Sequence, residues 1–220
     1  MSLLATSEAA KRLGVSTRQV QHLVARGDLR QLARGVVDET SVERLLAVRG
    51  GSHKSAWSEA TAWGAAALLS GAAAEWRGDT QRSRLRSRLR RLDAAELVER
   101  ARERAEVTRY RAHTSAGQYL RAELVYATDV ASQLGLTETN SIDGYLASGD
   151  VQGLVTRHGL IRDDEGRVTL RATYMDLDVV RDLSGRSPVL AAIDLAESLD
   201  IRERRAGLDR LDRALETFRG

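Results

Sequence analysis

The chain has 220 residues, enough for one large domain or two to three small ones, and no cysteine, which excludes disulfides, zinc–thiolate sites and thiol nucleophiles. Its longest apolar run, residues 65–74, falls well short of the ~18 residues that a membrane span needs, and the first eleven residues lack the basic and apolar regions of a secretory signal, so a cytoplasmic protein is expected. The net charge of +3 is unevenly spread: residues 1–53 carry 8 basic and 5 acidic side chains, residues 77–121 carry 13 and 6, and residues 122–220 carry 12 and 18, which suggests a front part that faces nucleic acid.

One proline, few aromatics and many Ala, Leu, Arg and Glu predict a mainly α protein. Helices are expected at 7–13, 17–26 and 40–48, punctuated by Gly14 and Gly27, and residues 50–56 read as a linker. Further helices are expected at 58–69, at 80–92 with Thr80 as N-cap, and at 94–105, where Asp93 and Glu96 have the spacing of a capping box. Residues 107–113 alternate like a strand and 115–124 return to helix. Residues 57–124 thus read as a basic helical domain, with 80–92 and 107–113 as the third helix and wing of a second winged unit. Residues 125–220 read as an acidic α+β domain for partner binding or dimerisation. Its expected elements are helices at 129–134 and 151–157 and a β-hairpin of 160–162 and 167–172 about Asp163-Asp164-Glu165-Gly166. Helices at 189–199 and 201–218 end the chain.

The segment Ser7-Glu8-Ala9-Ala10-Lys11-Arg12-Leu13-Gly14-Val15-Ser16-Thr17-Arg18-Gln19-Val20-Gln21-His22-Leu23-Val24-Ala25-Arg26-Gly27-Asp28-Leu29 carries the functional expectation. Ala9 is small where a second helix must approach, Leu13 points into the same seam, Gly14 allows the turn, Val15 fills it and Ser16 caps the next helix. Val20, Leu23 and Val24 share one face at ~100° per residue, so Arg18, Gln21 and His22 face outward, as base edges and phosphates in a major groove require. This stretch resembles the helix-turn-helix of the MerR and phage-excisionase superfamily. The resemblance extends over residues 1–49, with 32–37 where that family has its wing and 38–46 where its closing helix begins. It implies double-stranded DNA as partner and Ser16, Thr17, Arg18, Gln19, Gln21, His22, Arg26, Arg30 and Arg34 as contacts, the last three on phosphate. The wing departs from the family in holding little basic or aromatic content beyond Arg30 and Arg34.

The stretch 81–92 is a second basic element: Leu85, Leu89 and Leu92 make an apolar stripe, with Arg84, Arg88 and Arg91 on one flank and Arg82, Arg86 and Arg90 on the other. These arginines either grip phosphates or pair with Glu96, Glu99, Glu103 and Glu106 next door. No catalytic, cofactor or metal site is expected. His22, His53, His113 and His158 are scattered, and Asp176-Leu177-Asp178 lacks the Gly-Ser pair of a nucleotidyltransferase, so Asp176 reads as a helix N-cap. The layout of DNA-binding head, basic middle and acidic tail resembles the AbiEi-type antitoxins of type IV toxin–antitoxin systems, and residues 187–200 are similar to the helical end of that family. The resemblance implies an autorepressor with a nucleotidyltransferase toxin as partner. A bacterial transcriptional repressor rather than an enzyme is therefore the expectation, with an excisionase-like DNA-bending protein as the alternative and a nucleotidyltransferase as the remoter one. Ile201, Leu208, Leu211, Leu215 and Phe218 stand at near-heptad spacing, fit either for a homodimer seam or for docking on the chain's own domain.

Overall fold

In the computed structural model, residues 3–13, 15–49, 55–125, 141–198 and 200–220 are described. They form two compact units, Met1–Lys54 and Ser55–Gly220.

The first unit runs β1 (Leu3–Ala5), α1 (Thr6–Leu13), α2 (Thr17–Arg26), β2 (Gln31–Ala33), β3 (Val36–Asp38) and α3 (Glu39–Arg49), with the antiparallel strands in the order β1-β3-β2. Ser16 has extended backbone and accepts a hydrogen bond from the Gln19 amide at 3.2 Å, which starts α2, and left-handed Gly27 closes it. Ala9, Leu13, Val20, Leu23, Leu29, Val37 and Val42 form the core. The expected helices at 7–13, 17–26 and 40–48 are present within a residue of their expected ends. Strand β1 is an addition to the expected elements, and Gly14 lies outside the described residues. Arg12 braces α1 to α3 through Glu39 and Glu43, an exposed contact of little energetic weight.

The second unit contains α4 (Glu59–Leu69), α5 (Asp79–Leu89), α6 (Ala94–Ala101), β4 (Glu106–Arg111), α7 (Gly117–Glu123), β5 (Ile142–Ala147), α8 (Val151–His158), β6 (Ile161–Arg162), β7 (Val168–Thr173), α9 (Leu177–Arg186), α10 (Val189–Ala196) and α11 (Ile201–Arg219). Alanines 62, 65, 66 and 67 and Trp63 of α4 are wholly buried, as expected of a helix apolar on every side. The sheet order is β5-β7-β4-β6, with β5 and β7 parallel and the other pairs antiparallel. Alternation sorts its side chains. Tyr110, Ile142, Leu146, Val168 and Leu170 pack one face against Leu120 and Leu154 of α7 and α8. Val107, Arg109, Asp143, Tyr145, Thr169 and Arg171 belong to the other face.

The structure corrects several expectations. The proposed boundary between 57–124 and 125–220 does not divide compact units, because β4 lies in the middle of the sheet between β7 and β6. For the same reason residues 107–113 are not the wing of a second winged unit. The expected hairpin of 160–162 and 167–172 does not form, since β6 and β7 each pair with β4 and not with one another. Its turn does form, the Gly166 amide reaching the Asp163 carbonyl at 2.8 Å, but the chain there crosses directly over β4. A Cβ at Gly166 would sit 2.2 Å from the Tyr110 carbonyl oxygen. The helix expected at 80–92 begins at Asp79 after Gly78, with Thr80 inside its first turn rather than at its cap, and ends at Leu89. The helix expected at 94–105 stops at Ala101 and tightens into a 3-10 turn over Arg102–Arg104, so that Glu106 can enter the sheet. Asp93 caps it through the Glu96 amide. The near-heptad stripe of α11 is spent within its own unit: Leu211 and Leu215 are wholly buried, Leu208 and Phe218 pack against the same core, and Ile201 is exposed. A homodimer therefore has no such seam. Residues 129–134 lie outside the described residues.

Candidate functional site

The first unit divides α2 cleanly. Val20 and Leu23 are 0% and 1% exposed and anchor the helix, while Ser16, Thr17, Arg18, Gln19, Gln21 and His22 are all exposed. Arg30, just before β2, and Arg34, in the turn between β2 and β3, are exposed as well. The Arg26 side chain lies outside the described residues. A groove of about 420 Å³ is lined by Thr6, Ser7, Thr17, Gln21, Gln31 and Arg34, so the start of α1, the start of α2 and the hairpin converge on one concave surface. Arg18, Arg30 and Arg34 have no carboxylate partner among the described residues, in contrast to Arg12. The surface therefore presents guanidinium, amide and imidazole groups on and beside a capped helix, with no carboxylate paired to them among the described residues.

Arg84, Arg88 and Arg91 belong to the second unit, on α5 and the turn after it. Arg84 and Arg88 are exposed, and Arg91 bonds back to Ser87, its Nη2 donating to Oγ at 2.8 Å. The alternative pairing with downstream glutamates does not hold for Glu96 and Glu99, which take Arg100 and Arg102. His158 lies 2.7 Å from Glu123 and stacks on Tyr119, and His113 accepts from the Ser115 amide. The hydrogen bond from His158, with Arg157 adding its own, holds the Glu123 carboxyl below its usual range. Asp176 caps α9, accepting from the Asp178 amide at 2.8 Å, so Asp176-Leu177-Asp178 is a helix start and not a strand. Among the described residues no cluster of His, Asp and Glu could hold a metal ion, and no helix is long and apolar enough to cross a membrane.

The second unit also contains an ionic cluster that sequence reasoning missed. Arg104 is 1% exposed, donating through Nε to the Tyr145 hydroxyl at 3.0 Å, through Nη1 and Nη2 to Glu197 at 2.5 and 2.8 Å, and to Asp194. Arg171 holds Asp143 with two bonds, at 2.6 and 2.9 Å, and reaches Glu197 at 2.9 Å. Tyr145 donates to Asp194, and Trp63 donates to the Arg104 carbonyl at 2.9 Å while meeting the Tyr145 ring edge-on. Burial pushes Asp194 and Tyr145 up from their ordinary values. Burial also works against the charge on Glu197, but Arg104 and Arg171 outweigh it and hold that carboxyl low. Beside the cluster a cavity of about 260 Å³ is lined by Arg109, Asp143, Arg167, Arg171, Glu197 and Glu203. The two guanidinia are shared among three carboxylates, Asp143, Asp194 and Glu197, and the contacts tie β5 and β7 to α10 and the residues after it. Two signals for it were present in the sequence: Arg171 within the apolar strand and Asp194 within the run Val189–Ala196.

No protein-family model, curated protein or solved structure matches the chain.

Proposed function

We propose that the first unit is a winged helix-turn-helix that binds double-stranded DNA, and that the protein is a sequence-specific transcriptional repressor rather than an enzyme. The observation that carries this reading is the contrast along α2, where Val20 and Leu23 are sealed in the core while Arg18, Gln19, Gln21 and His22 stand in solvent. Ten residues of α-helix span ~15 Å, and the major groove, ~12 Å wide, admits such a helix. Arg18, Gln21 and His22 would meet base edges, while Ser16, Thr17, Arg30 and Arg34 would hold phosphates on either side.

The test is binding to duplex DNA from upstream of the protein's own gene. Each good base contact discriminates by ~1–3 kcal/mol, so Arg18→Ala combined with Gln21→Ala should weaken binding at least roughly tenfold. Because both side chains are exposed, the fold should be unaffected. Undiminished binding by the double variant refutes the assignment. Duty as an antitoxin rests on the pairing of such a head with a larger second unit. It is tested by whether the protein relieves growth arrest by a nucleotidyltransferase encoded beside it.

A further inference from the structure

We propose that the second unit has a DNA-backbone surface of its own, formed by α5 and separate from α2. Residues 80–92 contain six arginines and no acidic residue. Arg84, Arg86, Arg88 and Arg90 have no carboxylate partner among the described residues, and all four are exposed. The acidic side chains nearest in sequence are engaged elsewhere: Asp79 with Arg82, Glu96 with Arg100, Glu99 with Arg102, and Asp93 with the start of α6. The C-terminus of α11 adds positive charge, since the Arg219 guanidinium donates to the Arg90 carbonyl at 3.0 Å and to the Leu92 carbonyl.

The arrangement selects the partner. At ~100° per residue, Arg84 and Arg88 form one row along the helix and Arg86 and Arg90 another, with Ser83, Ser87 and the Arg91 side chain bonded to Ser87 between them on the solvent side. Like charges four residues apart repel, so each row weakens the helix until an anion lies along it. The apolar stripe is consumed in folding, Leu85 and Leu89 being 2% and 0% exposed. The helix therefore has no apolar face to insert into a bilayer, and a membrane surface is the poorer fit. The two rows lie on opposite flanks of the helix, so a regular row of phosphates along each flank would meet them, and the two backbones of a DNA duplex supply such a pair.

The experiment uses the full-length chain with Arg18→Ala and Gln21→Ala in place, so that failure of the α2 reading and failure of this one remain distinguishable. A labelled duplex of arbitrary sequence is titrated by fluorescence anisotropy across roughly 50–200 mM salt. This parent should retain salt-sensitive binding. Adding Arg84→Gln, Arg86→Gln, Arg88→Gln and Arg90→Gln should lower the log–log salt slope by ~0.9 for each phosphate no longer neutralised, and affinity at low salt by about tenfold or more. The corresponding four Arg→Lys changes should keep most of the binding. Single changes at Arg84 and Arg88, each expected to cost ~0.9 in slope, serve if the quadruple variant is poorly folded. An unchanged slope in the single and quadruple glutamine variants overturns the proposal, as does binding of an acidic protein by this face with no effect on DNA.

Discussion

Replacing Arg104 by methionine tests the physical account of the second unit most directly. The guanidinium is 1% exposed and neutralises Asp194 and Glu197 together, with Arg171 as the other cation paired with them. Removing one partner of a buried ionic set strands the others, at a cost of about 3–5 kcal/mol. In a unit of this size each kcal/mol lowers the melting temperature by ~2–4 °C, so Arg104→Met should melt roughly 6–20 °C below the parent. All three tryptophans, Trp57, Trp63 and Trp76, lie within Ser55–Gly220, so a fluorescence melt reports this unit alone. The pH dependence has a definite sign. In the parent, the lowered Glu197 stabilises the fold above the usual carboxylate range, and this contribution is lost as pH falls through its folded value. Without Arg104 only Arg171 is left to oppose the burial of Glu197, and its carboxyl should rise, toward the already raised Asp194. A raised carboxyl stabilises the protonated fold, and that contribution is lost as pH rises. The deficit of Arg104→Met should therefore be largest near neutrality and narrow below about pH 5. Adding Asp194→Asn should recover part of it. A deficit that is absent, or that widens in acid, would refute the reasoning.

Leu23→Ala removes a side chain that is 1% exposed in the small core of the first unit, at a cost of about 2–5 kcal/mol. A unit of this size has little stability to spare, so part of the helical circular dichroism and all α2-mediated DNA binding should be lost while the tryptophan melt is unchanged. A shifted tryptophan melt would show that the two units do not fold independently. Gly207→Ala places a Cβ 2.5 Å from the Ala196 amide nitrogen and 2.6 Å from the Ala192 carbonyl oxygen, both backbone atoms of α10. Forcing α10 and α11 apart should cost at least about 1–3 kcal/mol in the same fluorescence melt, and a neutral result would mean that the helices part freely.

The first unit was legible because its signals are local. Ser16 and Gly27 mark the ends of α2, the spacing of Val20, Leu23 and Val24 fixes its buried face, and Gly35 lies between two short apolar runs. Only β1 escaped, and Leu3-Leu4-Ala5 is too short to alternate and pairs with β3 more than thirty residues away. In the second unit the decisive pairings are distant. The two runs flanking Asp163–Gly166 meet every local criterion for a hairpin, yet β4, some fifty residues earlier, lies between them. Nothing local forbids adjacency except Gly166, whose bare Cα is needed for the crossing over Tyr110. Strand β5 was hidden by Gly144, which interrupts the apolar alternation where a Cβ would press into Leu124.

Arginine identity alone carried little information, since 32 of the 34 basic residues are arginine, yet the structure sorts them by what neutralises them. Arg104 and Arg171 are buried against carboxylates, and Arg12, Arg82, Arg100 and Arg102 are paired near the surface. Along α11 the arginines alternate with Glu203, Asp209, Asp212 and Glu216, so that helix offers no uniform field despite its basic content. Arg18, Arg30 and Arg34 share the small first unit without ion pairs among the described residues, and α5 beyond Asp79 is the acid-free basic stretch of the second. Unneutralised charge held on a rigid, capped or well-anchored element draws a polyanion without first breaking an internal pair. That is why α2 and α5, rather than the more strongly perturbed groups around Arg104, are where binding is expected. The cluster has already spent its electrostatics on the fold.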